Sequence, residues 1–497
     1  MKPLGQLIDG FPYILLQGSL DREIAAVEYD SRRVEPKSLF VSIRGERHDG
    51  HHFVPDAVRR GAVAFIVERD IRSGTGEPVP GTILQVAESR RALAHLATRF
   101  YDMPSRELSL VGITGTNGKT TVSYLCEAVL EAGGRRAGVI GTVEYRCGGI
   151  AREADRTTPE ASDLQALLRW IRGQGGDVAV MEVSSHSLAL HRVEGCTFDV
   201  TVFTNLTQDH LDFHATMEDY FEAKARLFTM FQKRGGTAVI NLDDPGGKRL
   251  RELTDGPVVT YGFTPEADVT AATATYDLEG IRATIRTPWG EDDLRSPLLG
   301  RHNLYNLLAS VAVGGALGVP VRQALEALAT VRHIPGRLEP VACGQPFEVV
   351  VDYAHTPDAL EWALRSLRDL RPRRLIVLFG CGGDRDRKKR PLMGEAAARL
   401  ADRVFLTSDN PRSEVPGAIM EEIKAGIDRV PGAPEKTTAA VDREEAIEAA
   451  LQEARPGDLI LIAGKGHERT QTIGHEVIPF DDREVARRIL RQMGYNQ

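Results

Sequence analysis

Lys119 and Thr120 carry the clearest chemistry in this chain because of what precedes them. An apolar run, Leu108 to Ile113, leads into Thr114-Gly115-Thr116-Asn117-Gly118-Lys119-Thr120-Thr121. A helical pattern follows, with Val122, Leu125, Cys126 and Val129 on one face and Gly133 as its stop. Glycines let main-chain N–H groups approach phosphate oxygens, and the helix N-terminus adds partial positive charge. Lys119 can then neutralise β/γ oxygens while the Thr120 hydroxyl ligates magnesium. The spacing is a shortened variant of G-x-x-x-x-G-K-[ST], since Ile113 stands where the first glycine would fall. A plain glycine turn before a helix is the alternative, but strand, loop and helix in register favour ATP or GTP.

Glu182 ends an apolar strand, Asp177 to Val183, and His210 follows the end of another, Val200 to Asn205. Both therefore fall at a carboxyl edge, where α/β sheets bind ligands. Taken singly, Glu182 reads as a strand-end carboxylate and His210 as a capping or packing histidine. Beside a phosphate loop with Thr120, a metal role for both is preferred. Lys224 lies in a helical run, Met217 to Phe228, where a solvated lysine is the default. His48, His51 and His52 lack the further ligands a zinc site needs, so a loop hugging a ligand is the better reading.

Positioning these groups takes more than one core, because 497 residues exceed the ~250 to 300 at which single cores stop growing. Short β-type runs (Ser38 to Ile43, Ala62 to Val67, Thr82 to Val86) and a helix, Ser89 to Tyr101, make residues 1–106 a small α/β domain. Strands at Arg136 to Gly141, Asp177 to Val183, Val200 to Asn205 and Thr237 to Asn241 alternate with helical patterns. This predicts βαβ units and a mostly parallel sheet over 107–334, with a helix at Leu304 to Leu317. Phe347 to Val351, Leu375 to Phe379, Arg403 to Thr407 and Asp458 to Ala463 alternate likewise in 335–497, a Rossmann-like α/β domain. The fold class is thus α/β in three domains.

A net charge of −8 with interleaved signs gives no footprint for nucleic acid. Five dispersed cysteines argue against a disulfide framework, and no run approaches 18 apolar residues. A cytoplasmic protein without membrane insertion is expected.

GTNGKTT resembles the nucleotide loop of the Mur ligase and folylpolyglutamate synthase superfamily. MEVSSH (181–186), FTNLTQDHLDFH (203–214), EAKARLF (222–228), GRHNLYN (300–306) and PGRLE (335–339) follow in the family's order. VDYAHTPDAL (351–360), GCGGDRDRKKRP (380–391), SDNPR (408–412) and GKGHE (464–468) complete the series. The last four narrow the resemblance to the Mur ligases that add the third amino acid of the peptidoglycan stem, and DNPR resembles the diaminopimelate version rather than the lysine one.

That resemblance implies an ATP-dependent, Mg2+-requiring ligase. It would phosphorylate the D-glutamyl side-chain carboxylate of UDP-N-acetylmuramoyl-L-Ala-D-Glu and let meso-diaminopimelate attack the acylphosphate. Two anions must meet at about 3 to 3.5 Å, so metal ions and basic groups have to screen them. The family implies Gly115 to Thr121, Asn303, Arg337 and Asp352 at ATP, with Lys119, Lys224 and Arg337 catalytic. It assigns Thr120, Glu182, His210 and Lys224 to magnesium, the lysine as a carbamate (N6-carboxylysine). Asn303 also reads as a helix N-cap, and Asp352 as a strand-end turn residue.

The resemblance sets Tyr29, Ser31, Glu46, Arg47, His48, Arg156, Thr157, Thr158, Ser184, Leu190 and Arg192 along the UDP precursor. Arg156 and Leu190 depart from the asparagine and glutamine of some relatives. For diaminopimelate it implies Arg385, Asp409, Asn410, Pro411, Arg412, Gly464 and Glu468. Arg412 would fork onto the distal carboxylate, with Asp409 and Glu468 accepting from the distal ammonium. An ordinary Asx-Pro turn is the alternative for Asp409-Asn410-Pro411. A monomer is expected. The competing functions are a lysine-adding or folate ligase and, in another class, a P-loop nucleotide switch.

Overall fold

The computed structural model describes residues 1–45, 48–72, 79–211 and 213–496. Its centre is an eleven-stranded sheet. Ser109–Thr114, Val178–Glu182 and Phe198–Phe203 are apolar almost throughout rather than alternating, because helices cover both faces of the sheet. Successive residues point to opposite faces. Val111, Ile113, Val180 and Val202 pack with Val122, Leu125, Leu304 and Leu308 on one side. Leu110, Ala179, Met181 and Phe203 pack with Leu164, Leu168 and Phe221 on the other.

Seven strands, from Ala137–Ile140 across to Val269–Asp277, pair in parallel. The register aligns Ile113 with both Glu182 and Val202, so the phosphate loop, Glu182 and the Thr204–Asn205 turn leave one edge at the same level.

The N-terminal sheet runs Ile14–Gln17, Thr82–Gln85, Ala64–Val67, Ser38–Val41, Ala26–Glu28, parallel except at the first strand. In the C-terminal sheet Glu348–Asp352, Leu459–Ala463, Leu375–Phe379, Arg403–Leu406 and Thr437–Ala439 are parallel. There Asp352 pairs with Ala463 at the carboxyl edge. No helix among the described residues is long and apolar enough to cross a membrane.

The structure differs from the sequence reading at several places. Val269–Asp277, Gly280–Thr287 and Gly290–Ser296 form an antiparallel meander where no element was expected. Their Thr, Ala and charged residues leave one face in water, so no apolar run marks them. A second hairpin, Glu144–Cys147 with Ile150–Glu153, closes the other end of the sheet. The helix expected at Leu304 begins at Arg301 with Gly300 as its N-cap, which places Asn303 inside the first turn and rules out the N-cap role.

Candidate active site

The phosphate loop is moulded onto the neighbouring strand end. Gly115 has φ +140°, and a Cβ there would lie 1.9 Å from Thr204 Oγ1, so only glycine lets the loop settle. Thr116 N donates to Asn205 O at 2.8 Å, Asn117 N to Asn205 Oδ1 at 2.9 Å, and Thr204 Oγ1 to Asn117 O at 2.6 Å. The helix Lys119–Ala132 starts from Gly118, with Thr120 and Thr121 buried in its first turn.

Two lysine side-chain nitrogens converge on one carbonyl here. Lys119 Nζ donates to Gly115 O at 3.0 Å and Thr116 O at 2.8 Å, while Lys224 Nζ reaches the same Gly115 O at 2.8 Å. Lys224 is 2% exposed, with its Nζ 4.3 Å from the centre of the Tyr220 ring. The solvated lysine that the helical run suggested is therefore corrected: the helix Met217–Thr229 turns Lys224 inward along with Tyr220, Phe221 and Phe228. Burial, and behind it the charge of Lys119, holds the Lys224 pKa well below the usual lysine value. Burial lowers that of Lys119 as well.

Glu182, 1% exposed, ties the loop to its surroundings. Its carboxylate accepts from Thr120 Oγ1 at 3.0 Å, Thr142 N at 2.8 Å and Thr142 Oγ1 at 3.0 Å. Arg337, from across the domain border, donates through Nη2 to Thr120 Oγ1 at 3.1 Å, so Glu182, Thr120 and Arg337 form one chain. Arg337 Nε is buried with no hydrogen-bond partner among the described residues, as suits a group awaiting an anion.

His210 has φ +54°, and its ring lies edge-on to His186 at 4.7 Å and to Tyr220 at 6.1 Å. No group of three or more His, Cys, Asp or Glu side chains placed to hold a metal ion is found among the described residues. Glu182 and the Thr120 hydroxyl still fit magnesium. That ion is commonly held by one or two carboxylates and completes its shell from substrate phosphates and water.

Between the central and C-terminal domains lies a 280 Å³ pocket reached by Asn117, Gly118 and Thr121 from one side and Arg337 and Asp352 from the other. Asp352 is fixed by Leu338 N at 2.7 Å and Ala354 N at 2.8 Å, and burial raises its pKa. Asn303 is buried and does not line the pocket. It donates to Leu299 O at 2.8 Å and accepts from Asn306, which does line it. Sequence reasoning missed Asp243, Tyr261, His302 and Trp362 in this wall. Burial pushes the His302 pKa down to about 4, and its Nδ1 lies 2.8 Å from Ser366 Oγ. Asp243 and His302 sit next to a strand end and a helix start, which was the available signal.

A larger cleft of 1280 Å³ joins the N-terminal and central domains, lined by Tyr29, Ser31, His48 and Arg156. Tyr29 donates to Asp163 at 2.7 Å and Arg33 to the same carboxylate at 2.8 Å. Buried Glu160 gathers Arg90 and Arg192, each at 3.0 Å, and Arg156 at 3.4 Å. Neither acid was singled out from sequence.

Thr157 Oγ1 lies 3.1 Å from Thr142 Oγ1, Thr158 Oγ1 donates to Glu182 O at 2.9 Å, and Ser184 caps the helix Ser185–Ala189, which ends at Leu190. Glu46 and Arg47 lie outside the described residues. His51 is buried and accepts from Glu68 N at 2.9 Å, a structural task.

The third cleft, 730 Å³, brings Arg385, Asp409, Asn410, Arg412, Gly464 and Glu468 together with His210 of the central domain. Gly464 has φ +111°, and a Cβ on it would come 2.5 Å from Asp409 Oδ2. Arg412, at φ +50°, donates through Nη1 to Gly383 O at 2.8 Å. Asn410 donates to Glu468 Oε2 at 2.8 Å. Pro411 connects Asn410 to Arg412 and is buried.

Comparison with known proteins accounts for nearly every residue. The chain matches the Mur ligase family catalytic domain over residues 23–101, the Mur ligase middle domain over 113–314 and the Mur ligase glutamate ligase domain over 336–466. The UDP-N-acetylmuramoyl-L-alanyl-D-glutamate--2,6-diaminopimelate ligase of Syntrophomonas wolfei is 46% identical over 493 residues, covering 98% of this chain and 99% of that one. The protein of the same name from Geobacillus thermodenitrificans is 45% identical over 494 residues, again 98% and 99%. A solved structure of a ligase of this name superposes with TM-score 0.70 at 32% identity over 99% of both chains. The MurF ligase from Thermotoga maritima in complex with ADP, 21% identical, shares the fold with TM-score 0.63 over 94% of this chain and 96% of that one.

Proposed function

The chain belongs to the Mur ligase family, and from that premise we propose how its three clefts join meso-2,6-diaminopimelate to UDP-N-acetylmuramoyl-L-Ala-D-Glu. It is an ATP-dependent ligase of peptidoglycan synthesis, of the diaminopimelate-adding type. The observation that carries the site assignment is the 730 Å³ cleft, whose wall includes both His210 near the phosphate loop and the Arg412–Glu468 clamp. An amine held by the clamp can reach a carboxylate activated at the loop.

The D-glutamyl carboxylate oxygen attacks the γ-phosphorus of ATP and ADP leaves. The amine, having lost a proton, then attacks the acyl carbon, and phosphate departs with the acyl oxygen. Lys119 and Arg337 supply positive charge where two anions approach. Tyr29, Ser31, His48, Arg156, Thr157, Thr158, Ser184, Leu190 and Arg192 hold the precursor in this proposal. Asp352 sets the Arg337 loop, and Asn303 acts through Asn306. Glu182, Thr120, His210 and a modified Lys224 would hold magnesium, which supplies charge neutralisation at the phosphates.

Lys224 suits the modification. Only an unprotonated amine adds CO₂, giving a carbamate and a proton, and burial beside Lys119 disfavours the ammonium. The same proposal places the enzyme in the cytoplasm as a monomer, in keeping with five free, buried cysteines.

The test supplies purified protein with ATP, magnesium, the precursor and amino acids one at a time. Phosphate release is expected with meso-diaminopimelate. Equal kcat/KM with L-lysine, or release that no amino acid alters, would overturn the proposal.

A further inference from the structure

The amino-acid clamp rests on a buried cation that the reaction as described does not use. Lys465 is 0% exposed, and its Nζ donates to Thr470 O at 2.6 Å and Glu468 Oε2 at 3.1 Å, with Asn410 Oδ1 at 3.4 Å. Asn410 donates from Nδ2 to the same Glu468 oxygen at 2.8 Å and accepts at Oδ1 from Thr472 N at 2.9 Å. The three side chains close a triangle. It fixes the Asn410 amide, since Oδ1 meets donors while Nδ2 meets a carboxylate. It also occupies one oxygen of Glu468 and leaves Oε1 for a ligand.

The charges matter more than the geometry. At the clamp Arg412 and Lys465 stand with Asp409 and Glu468, and the rest of the cleft wall sets Arg385, Lys388 and Lys389 against Asp209, Asp358 and Asp386. A distal amino-acid centre brings one charge of each sign and leaves that balance unchanged. A lone ammonium adds an unbalanced positive charge, and the carboxylate it would seek is already shared with a buried lysine. Specificity commonly combines attraction of the right ligand with repulsion of the wrong one.

We propose that Lys465 is a specificity-determining residue: by neutralising Glu468 from beneath, it makes the clamp accept a terminal ammonium only alongside a terminal carboxylate. Amino acids that end in an ammonium alone are thereby excluded. Arg412 supplies the attraction and Lys465 the repulsion. The inference rests on the diaminopimelate reading of this cleft. A purely structural role for Lys465, tying down the hairpin Thr470–Ile473 with Glu476–Pro479, would affect all amino acids alike and would not depend on the charge at 468.

The test measures kcat/KM for meso-diaminopimelate and L-lysine, with KM for ATP as a control on folding. In Lys465→Met the ratio of diaminopimelate to lysine use is expected to fall at least tenfold, chiefly through a lower KM for lysine. Lys465→Met combined with Glu468→Gln is expected to lose that gain for lysine. An unchanged ratio, an equal loss for both amino acids, or a lysine gain that survives Glu468→Gln would overturn the inference. Should Lys465→Met fail to fold, Glu468→Gln alone carries the test, because an uncompensated Lys465 makes the site more positive. The diaminopimelate preference then rises, and an equal or smaller ratio would contradict it. Wild-type enzyme with no preference would refute the diaminopimelate reading itself, an outcome distinct from any of these.

Discussion

Lys224 and Lys465 are both buried lysines, 2% and 0% exposed, and they are built for opposite ends. Lys465 is paired with Glu468 at 3.1 Å and held by a further carbonyl, so its Nζ is tied in place. Lys224 has a carbonyl oxygen, shared with another lysine, and an aromatic face. No carboxylate stands among its hydrogen-bond partners in the described residues. Burial without a hydrogen-bonded counter-ion favours the neutral amine, which is nucleophilic, whereas burial with one favours the cation, which is inert. On the proposed roles, the same residue type is a reactive group in the central domain and an electrostatic support in the C-terminal one.

Lys119 makes the largest break in this scheme. It shares the Gly115 carbonyl with Lys224 yet is assigned to the phosphates, and Lys119→Ala is expected to lower turnover by about three orders of magnitude or more. ADP formation near the wild-type rate would remove the phosphate-loop assignment. Lys224→Ala is expected to be nearly inactive and partly rescued by acetate or formate, which restore an anion in the space of the carbamate. Failure of any small carboxylate to rescue, in a protein that binds ATP normally, would count against the carbamate.

Arg337→Ala sharpens the comparison from the domain border. Its guanidinium reaches the Thr120 hydroxyl only when the two domains are apposed, so kcat is expected to drop roughly a hundredfold with little change in KM for the precursor. A change confined to KM would contradict the role.

Arg412 tests the paired region by its attractive half. An unpaired guanidinium in the lysine complex costs about 2 to 5 kcal/mol. Wild type should therefore prefer diaminopimelate at least ~30-fold in kcat/KM, and Arg412→Ala should lose most of that preference. Full retention in the alanine variant would sink the clamp.

The phosphate loop was legible because its chemistry is local: strand, glycines, lysine and helix follow one another, and the parallel register then brings Glu182 level with it. Lys224 was half legible. It falls four residues after Tyr220 and three after Phe221, on the apolar stripe of its helix, but a lysine in a helical run is solvated by default and only the family resemblance pointed elsewhere.

Lys465 was not legible, because its burial depends on a hairpin folded over it and on Asn410, 55 residues away in sequence. The wall of the 280 Å³ pocket was hidden for the same reason. Asp243, His302 and Trp362 meet only after separate elements pack. The meander from Val269 to Ser296 escaped notice since threonine and alanine strands with a wet face carry little hydrophobic pattern.

The central claim is that Lys224, and not Lys465, is the reactive lysine, and carbon-13 NMR of the protein in labelled bicarbonate tests it most directly. Carbamate needs the free amine, so its signal should weaken as pH falls and the amine of Lys224 takes up a proton. One carbamate resonance is expected near neutral pH in wild type and in Lys465→Met, and none in Lys224→Ala. A resonance that persists in Lys224→Ala, or its absence from an active wild-type enzyme, would contradict the account.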